Sequence, residues 1–263
     1  MMLSKSAEGA ALTQVTEAAQ HVTIAIPAGK GGTLKAVAFQ VNPTLDTVVD
    51  SGGLVRLYNT SADWDPFYFL TANHSVVTEG GEGCAQPVMY AVEKELPGNS
   101  TVYANFTPYD NQSQYLEVTL IWELGKKPGK ETFSGYIHPL KAAAVSATAR
   151  ASPGNYAVPG GKGGRIYCLY HLNWPTIETV VDSGGLVELE NNAYDMTPCH
   201  WYTGYGSTVG ASGGGVMYPD KIPWDGPCPQ NSTFYSYFTP DDDQSQTLST
   251  LILWERPIRR TVA

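Results

Sequence analysis

Catalysis and metal binding begin with titratable side chains. The densest set lies in two matching segments, Phe-Thr-Pro-x-Asp-x-Gln-Ser-Gln at 106–114 and Phe-Thr-Pro-Asp-Asp-Asp-Gln-Ser-Gln at 238–246. Carboxylates and amide oxygens gathered in one turn can supply the about six to eight oxygen ligands that Ca2+ takes. On that reading Asp110, Asp242 and Asp243 are the metal ligands, and calcium is the one cofactor in view. The competing reading is an Asx-type turn leading into the last strand of each segment.

The five histidines offer less. His21, His74, His138, His171 and His200 are scattered, and none falls in an H-x-H or H-E-x-x-H pattern. A cupin-type metal cluster therefore cannot be assembled. The stretch Pro-Ala-Gly-Lys-Gly-Gly-Thr at 27–33 lacks the Walker spacing and lies between two strand-like runs, so it reads as a β-turn. No G-x-S-x-G elbow occurs, and no serine or cysteine can be paired with a base. The expectation is a protein that is not an enzyme. Trp64, between Asp63 and Asp65, could stack on a sugar, but its region does not repeat an aromatic in register; Trp122 and Trp254 do repeat, at the ends of matching strands, and read as core.

The cysteines Cys84, Cys168, Cys199 and Cys228 include no C-x-x-C pair and no matched positions, which argues against a zinc knuckle. Free buried thiols and a Cys199–Cys228 bridge are both open. Net charge is −9, with 8 basic against 14 acidic residues in 1–132 and 8 against 11 in 133–263, so neither half is a basic module and direct nucleic-acid binding is not expected. The start MMLSKSAEGAALTQVTEAAQ lacks the apolar stretch of a secretory signal, and no apolar run is long enough to span a bilayer. Synthesis in the cytoplasm is expected. Sequons at Asn59, Asn73, Asn99, Asn105, Asn111 and Asn231 read either as glycan acceptors or as turn chemistry.

The elements that would position these residues come from a duplication. TVVDSGGLV at 47–55 recurs without a gap at 179–187, an offset of 132. The same offset relates Lys30-Gly31-Gly32 to Lys162-Gly163-Gly164, Asn99-Ser100-Thr101 to Asn231-Ser232-Thr233, and Trp122-Glu123 to Trp254-Glu255. In the middle of the copies Val88-Met89-Tyr90 answers Val216-Met217-Tyr218 at 128, which implies a local loss and gain of residues. Strand signals fall at 21–26, 34–41, 53–58, 66–70, 87–92, 101–106 and 115–122, several with period-2 alternation, separated by Gly-rich turns.

The fold expected is all-β: two tandem antiparallel β-sandwiches of jelly-roll type from an internal duplication. The boundaries are an N-terminal arm or short helix at 1–20, a first sandwich at 21–124, a linker at 125–154, a second sandwich at 155–256 and a tail at 257–263.

Two jelly-roll-sized sandwiches in one acidic chain with no catalytic cluster resemble the double jelly-roll major capsid proteins of tailless icosahedral viruses of bacteria and archaea. The resemblance covers nearly the whole chain and is one of architecture and size. It implies a homotrimer whose six sandwiches form a pseudo-hexagonal tile, minor capsid proteins and an underlying membrane as further partners, and the virion as location. The rival expectations are a tandem carbohydrate-binding or adhesin-like module and a subunit of an extracellular filament at the cell surface.

Overall fold

The structure is a computed structural model; it describes every residue except 13–15, 44–48, 77–85, 110–112, 143–149, 152, 176–180, 197–198, 204–205, 209–214, 242–245 and 259–263. In the first copy the strands are β1 (Met2–Glu8), β2 (Ala18–Ile26), β3 (Gly32–Pro43), β4 (Val49–Ser51), β5 (Gly53–Asn59), β6 (Tyr68–Leu70), β7 (Asn73–Val76), β8 (Val88–Leu96), β9 (Ser100–Pro108) and β10 (Gln114–Leu124). In the second they are β11 (Lys130–Ala142), β12 (Gly154–Ala157), β13 (Gly164–Pro175), β14 (Val181–Ser183), β15 (Gly185–Asn191), β16 (His200–Tyr202), β17 (Gly206–Thr208), β18 (Gly215–Met217), β19 (Asp220–Cys228), β20 (Thr233–Pro240) and β21 (Gln246–Pro257).

Each copy makes two four-stranded antiparallel sheets. The orders are β1-β10-β3-β8 over β2-β9-β5-β6, and β11-β21-β13-β19 over β12-β20-β15-β16. Each of the eight strands in one copy's two sheets has its counterpart in the other copy, and the two interleaved orders are those of an eight-stranded jelly roll. Alternation drives it: in β10, Gln114, Leu116, Val118, Leu120 and Trp122 point inward while the residues between them are part-exposed.

Two sequence expectations are corrected. Residues 2–8 form neither a free arm nor a helix but strand β1, with Leu3 opposite Trp122 and Ala7 opposite Val118. The backbone groups along the open edge of β10 offer a full ladder, whereas a short Ala-rich helix must nucleate unaided. The stretch 125–154 likewise contains β11, which lies on β21 as β1 lies on β10, with Phe133 opposite Trp254. The repeat therefore begins at β1, not at residue 21.

The apparent slip to 128 is also overturned. Gly32 pairs with Leu96 and Gly164 with Cys228, and the bulges at Leu34/Ala36 and Ile166/Cys168 match. Strands β8 and β19 thus stand 132 apart. Val216 and Met217 belong instead to β18, which pairs with β7 of the first copy. A three-residue apolar match had outweighed a strand whose own sequence, with Pro223 and Pro227, had diverged.

The repeated motifs now have causes. Gln114 Oε1 accepts from Gly52 N at 2.9 Å and Gln246 Oε1 from Gly184 N at 3.0 Å. The second Gln of Gln-Ser-Gln thereby holds the Asp-Ser-Gly-Gly turn. The next glycine tolerates no side chain, since a Cβ on Gly53 would lie 2.4 Å from Thr107 O and one on Gly185 2.4 Å from Thr239 O. Gln246 also accepts from Asn173 Nδ2 at 2.9 Å. Gln246→Leu leaves two buried donors unsatisfied and is expected to lower stability by about 1–3 kcal/mol. Urea denaturation checks this, and a loss below about 0.5 kcal/mol would contradict the role given to Gln246.

The cores differ. Phe39, Ala104 and Val118 of the first sandwich stand, at the 132 offset, where the second has His171, Ser236 and Thr250, all of them buried. Strand β21 is buried without alternation from Gln246 to Trp254 because both its faces are covered. Ile252 and Trp254 face the second core, and Leu251 and Leu253 pack with the first sandwich.

Candidate functional site: the junction between the sandwiches

The flank of the first sandwich at β6 and β8 sits on the outer face of β11-β21-β13. Tyr90 of β8 meets Tyr170 of β13 edge-on at 4.8 Å, and Tyr136, Cys168, Leu172, Leu251 and Leu253 complete a shared apolar layer. Apart from the β7–β18 ladder and one backbone bond from Ser134 N to Pro66 O at 3.2 Å, side chains of the second copy cap the backbone edge of the first among the described residues. Ser134 Oγ accepts from Tyr68 N at 2.5 Å and donates to Tyr68 O at 2.6 Å. Thr132 Oγ1 accepts from Glu93 N at 2.8 Å, and the Tyr167 hydroxyl donates to Ala91 O at 2.9 Å.

Beside this layer three cations converge on the fully buried ring of Phe133. Lys94 Nζ lies 4.0 Å from its centroid, Lys162 Nζ 5.1 Å and Arg256 Cζ 5.1 Å. The ring's negative face attracts cations, the more so out of water. Glu131 neutralises two of them, at 2.9 Å from Lys94 Nζ and 3.1 Å from Arg256 Nη2, and Asp63 pairs with Lys162. Lys94 is 1 % exposed. Burial pushes its ammonium down to about 8, against the pull of Glu131, and the hydrogen bond from Lys162 holds the Asp63 carboxyl below its usual range.

A cleft of about 690 Å³ opens alongside, walled by Tyr68 and Tyr109 of the first copy and Tyr136 and Tyr156 of the second, with Glu17 and Asn155 at its polar positions. Burial raises the Tyr136 phenol to about 12 and pushes Tyr156 up as well. The Tyr156 hydroxyl is buried with no partner among the described residues. Glu17 accepts from Asn105 Nδ2. Tyrosine walls with one carboxylate and one amide suit binding.

Of the sequence-derived site, Asp110, Asp242 and Asp243 lie outside the described residues. Among the described residues no group of three or more His, Cys, Asp or Glu side chains is placed to hold a metal ion. Cys168, Cys199 and Cys228 are buried free thiols, so the Cys199–Cys228 bridge is not formed; burial raises Cys199 and Cys228 to about 12. Trp64 is buried, donating to Glu95 O at 2.9 Å, and offers no sugar platform. Asn59 and Asn105 are buried and hydrogen-bonded, Asn59 at the end of β5 and Asn105 within the interior strand β9. Trp122 and Trp254 donate to Lys30 O and Lys162 O at 2.7 and 2.6 Å, equivalent core positions as expected.

Phe133, Lys94 and Glu131 were missed by sequence reasoning. A signal existed: in β8, Val88, Tyr90, Val92 and Leu96 share the buried phase, and Lys94 falls on it. A lysine in the apolar phase of an alternating strand marks a paired, buried cation.

No protein-family model matches this sequence, and no curated protein does. Among solved structures, recombinant N-glycanase F (PNGase F) aligns over 97 % of this chain and 97 % of that chain at 11 % identity with a TM-score of 0.39, a likeness too distant to carry an argument.

Proposed function

We propose that this chain is a structural, self-assembling protein, a viral major capsid protein whose homotrimers form pseudo-hexagonal tiles in the virion. The observation that carries the reading is the head-to-tail sense of the junction. The β6/β8 flank of one sandwich meets the outer β11-β21-β13 face of the next, so different surfaces of two homologous units are in contact. Such a heterologous contact, repeated, builds a closed ring where its rotation closes and an open filament where it does not, and the tile takes the closed form. Six sandwiches in a ring are three chains. The low charge content and the exposed sheet edges also suit lateral contact. On this reading the partners are copies of the chain, with minor capsid proteins and an underlying membrane beyond them.

Sedimentation velocity at micromolar concentration tests the proposal. The 28.4-kDa chain is expected at the mass of a trimer, about 85 kDa, or of a larger closed particle, because obligate contacts typically bury about 2,000 Å² or more. A stable monomer overturns it. The tyrosine-walled cleft favours one other reading, a carbohydrate-binding module, and tight glycan binding by such a monomer would support that instead.

A further inference from the structure

We propose that the β16/β19 flank of the second sandwich receives the outer β1-β10-β3 face of another copy of this chain, with Asp195 of one chain paired to Lys30 of the next. The inference rests on the self-assembly reading and specifies its surfaces.

In the first sandwich the flank residues Phe67, Phe69 and Tyr90 are fully buried, because the second sandwich covers them. Of their counterparts at the same offset of 132, Cys199 is buried but Trp201 and Ile222 are only partly buried, as is Trp224, whose indole N–H has no partner among the described residues. Tyr202 beside them is 72 % exposed. A core left open at one flank calls for a cover, and the homologous flank shows which surface provides it.

The polar chemistry matches at both ends. The Lys162–Asp63 ion pair spans the internal junction; 132 residues away stand Lys30 and Asp195, both exposed. Ser134, which caps the backbone of Tyr68, is opposite Leu253, and Ser4 occupies the equivalent place on β1, opposite Ile121. Ser4 is exposed, and His200 is the counterpart of Tyr68. Pro223 and Pro227 deprive β19 of two N–H donors, which disfavours ladder pairing and leaves side-chain capping, the mode used inside the chain.

The two contacts differ in character. Gly226 stands where Lys94 stands, so the buried cation is not repeated. On the receiving face, Ser6 and Thr119, hydrogen-bonded at 2.7 Å, replace Tyr136 and Leu251. The internal junction is an apolar core, and the outer one has the polar composition of a contact between separately folded chains.

Charge exchange tests the pairing. Lys30→Glu and Asp195→Lys are each expected to weaken assembly about tenfold or more in sedimentation equilibrium, since like charges are then juxtaposed, and the double variant is expected to return to within about threefold of wild type. Ser4→Trp, which alters no charge, should weaken assembly similarly by blocking the face. If wild type assembles and none of these variants differs from it, the flank assignment fails while self-assembly stands. Single variants that weaken assembly without rescue in the double overturn the Lys30–Asp195 pairing. A wild-type chain that stays monomeric removes the assembly reading itself, and this contact with it.

Discussion

Phe133→Ala is expected to lower stability by about 4 kcal/mol, near the upper limit for a single truncation. The ring is fully buried and stacks on Trp254 at 5.9 Å. Its removal opens a large cavity in the second core and also withdraws the face on which Lys94, Lys162 and Arg256 rest. Lys94 suffers most, because its ammonium is buried and is left with Glu131, the more distant Asp63 and the Phe67 ring at 5.4 Å. Phe133→Leu separates the two causes: it retains most of the apolar volume but not the ring, so its loss, about 1–1.5 kcal/mol, measures the cation contribution together with the shape mismatch. Guanidinium denaturation followed by tryptophan fluorescence checks both variants. Because the cluster joins strands of both copies, wild type should unfold in one transition. Two separated transitions, or a loss below about 1.5 kcal/mol in Phe133→Ala, would show that the junction does not couple the sandwiches.

The sequence disclosed the parts of the fold that rest on local pattern. Period-2 alternation in β5 and β10, the Gly-rich turns and the recurring TVVDSGGLV segment were enough for two antiparallel sandwiches of jelly-roll type. Edges were harder. Strand β1 has little apolar pattern of its own, with Leu3 and Ala7 its only inward-leaning side chains, and it owes its form to the free ladder of β10. Strand β11 carries apolar residues, but it reads as linker because its neighbours in sequence are Lys, Gly and Pro.

The junction was illegible for a different reason. Residues such as Tyr170, Leu251 and Leu253 look like ordinary members of a continuous apolar strand, and only the packing shows that they serve the neighbouring sandwich. Uninterrupted burial along β21, against alternation in β10, is the structural mark of that second covered face. The polar motif that looked most like a metal site contributes Gln114 and Gln246 to turn architecture. Motifs repeated in both copies maintain the fold that the copies share; the apolar and buried-cation contacts joining the copies fall where the copies differ.

One such difference predicts how the protein responds to acid. His171 stands in the second core where Phe39 stands in the first, fully buried, with Nδ1 3.1 Å from Thr250 Oγ1, Nε2 without a partner among the described residues and the Trp201 ring 5.6 Å away. Burial pushes the imidazole down to about 3 from 6.5. Above pH 6.5 it is neutral in both the folded and unfolded states and has no effect on the pH dependence. Between pH 6.5 and 3 the unfolded chain takes up a proton that the folded one refuses, so stability falls with pH by up to about 1.4 kcal/mol per unit. The expected loss is about 2 kcal/mol at pH 5 and, by pH 3, about 4–5 kcal/mol. His171→Gln has no proton to take up and should lie below wild type at pH 7 but lose less between pH 6.5 and 5.5, a range in which ordinary carboxylates have barely begun to titrate. Urea denaturation at half-unit steps gives both slopes. Parallel curves would mean that His171 is hydrated or charged in the folded state; converging ones place the acid-sensitive element in the second sandwich, beside Trp201 on the flank that the neighbouring chain is proposed to cover.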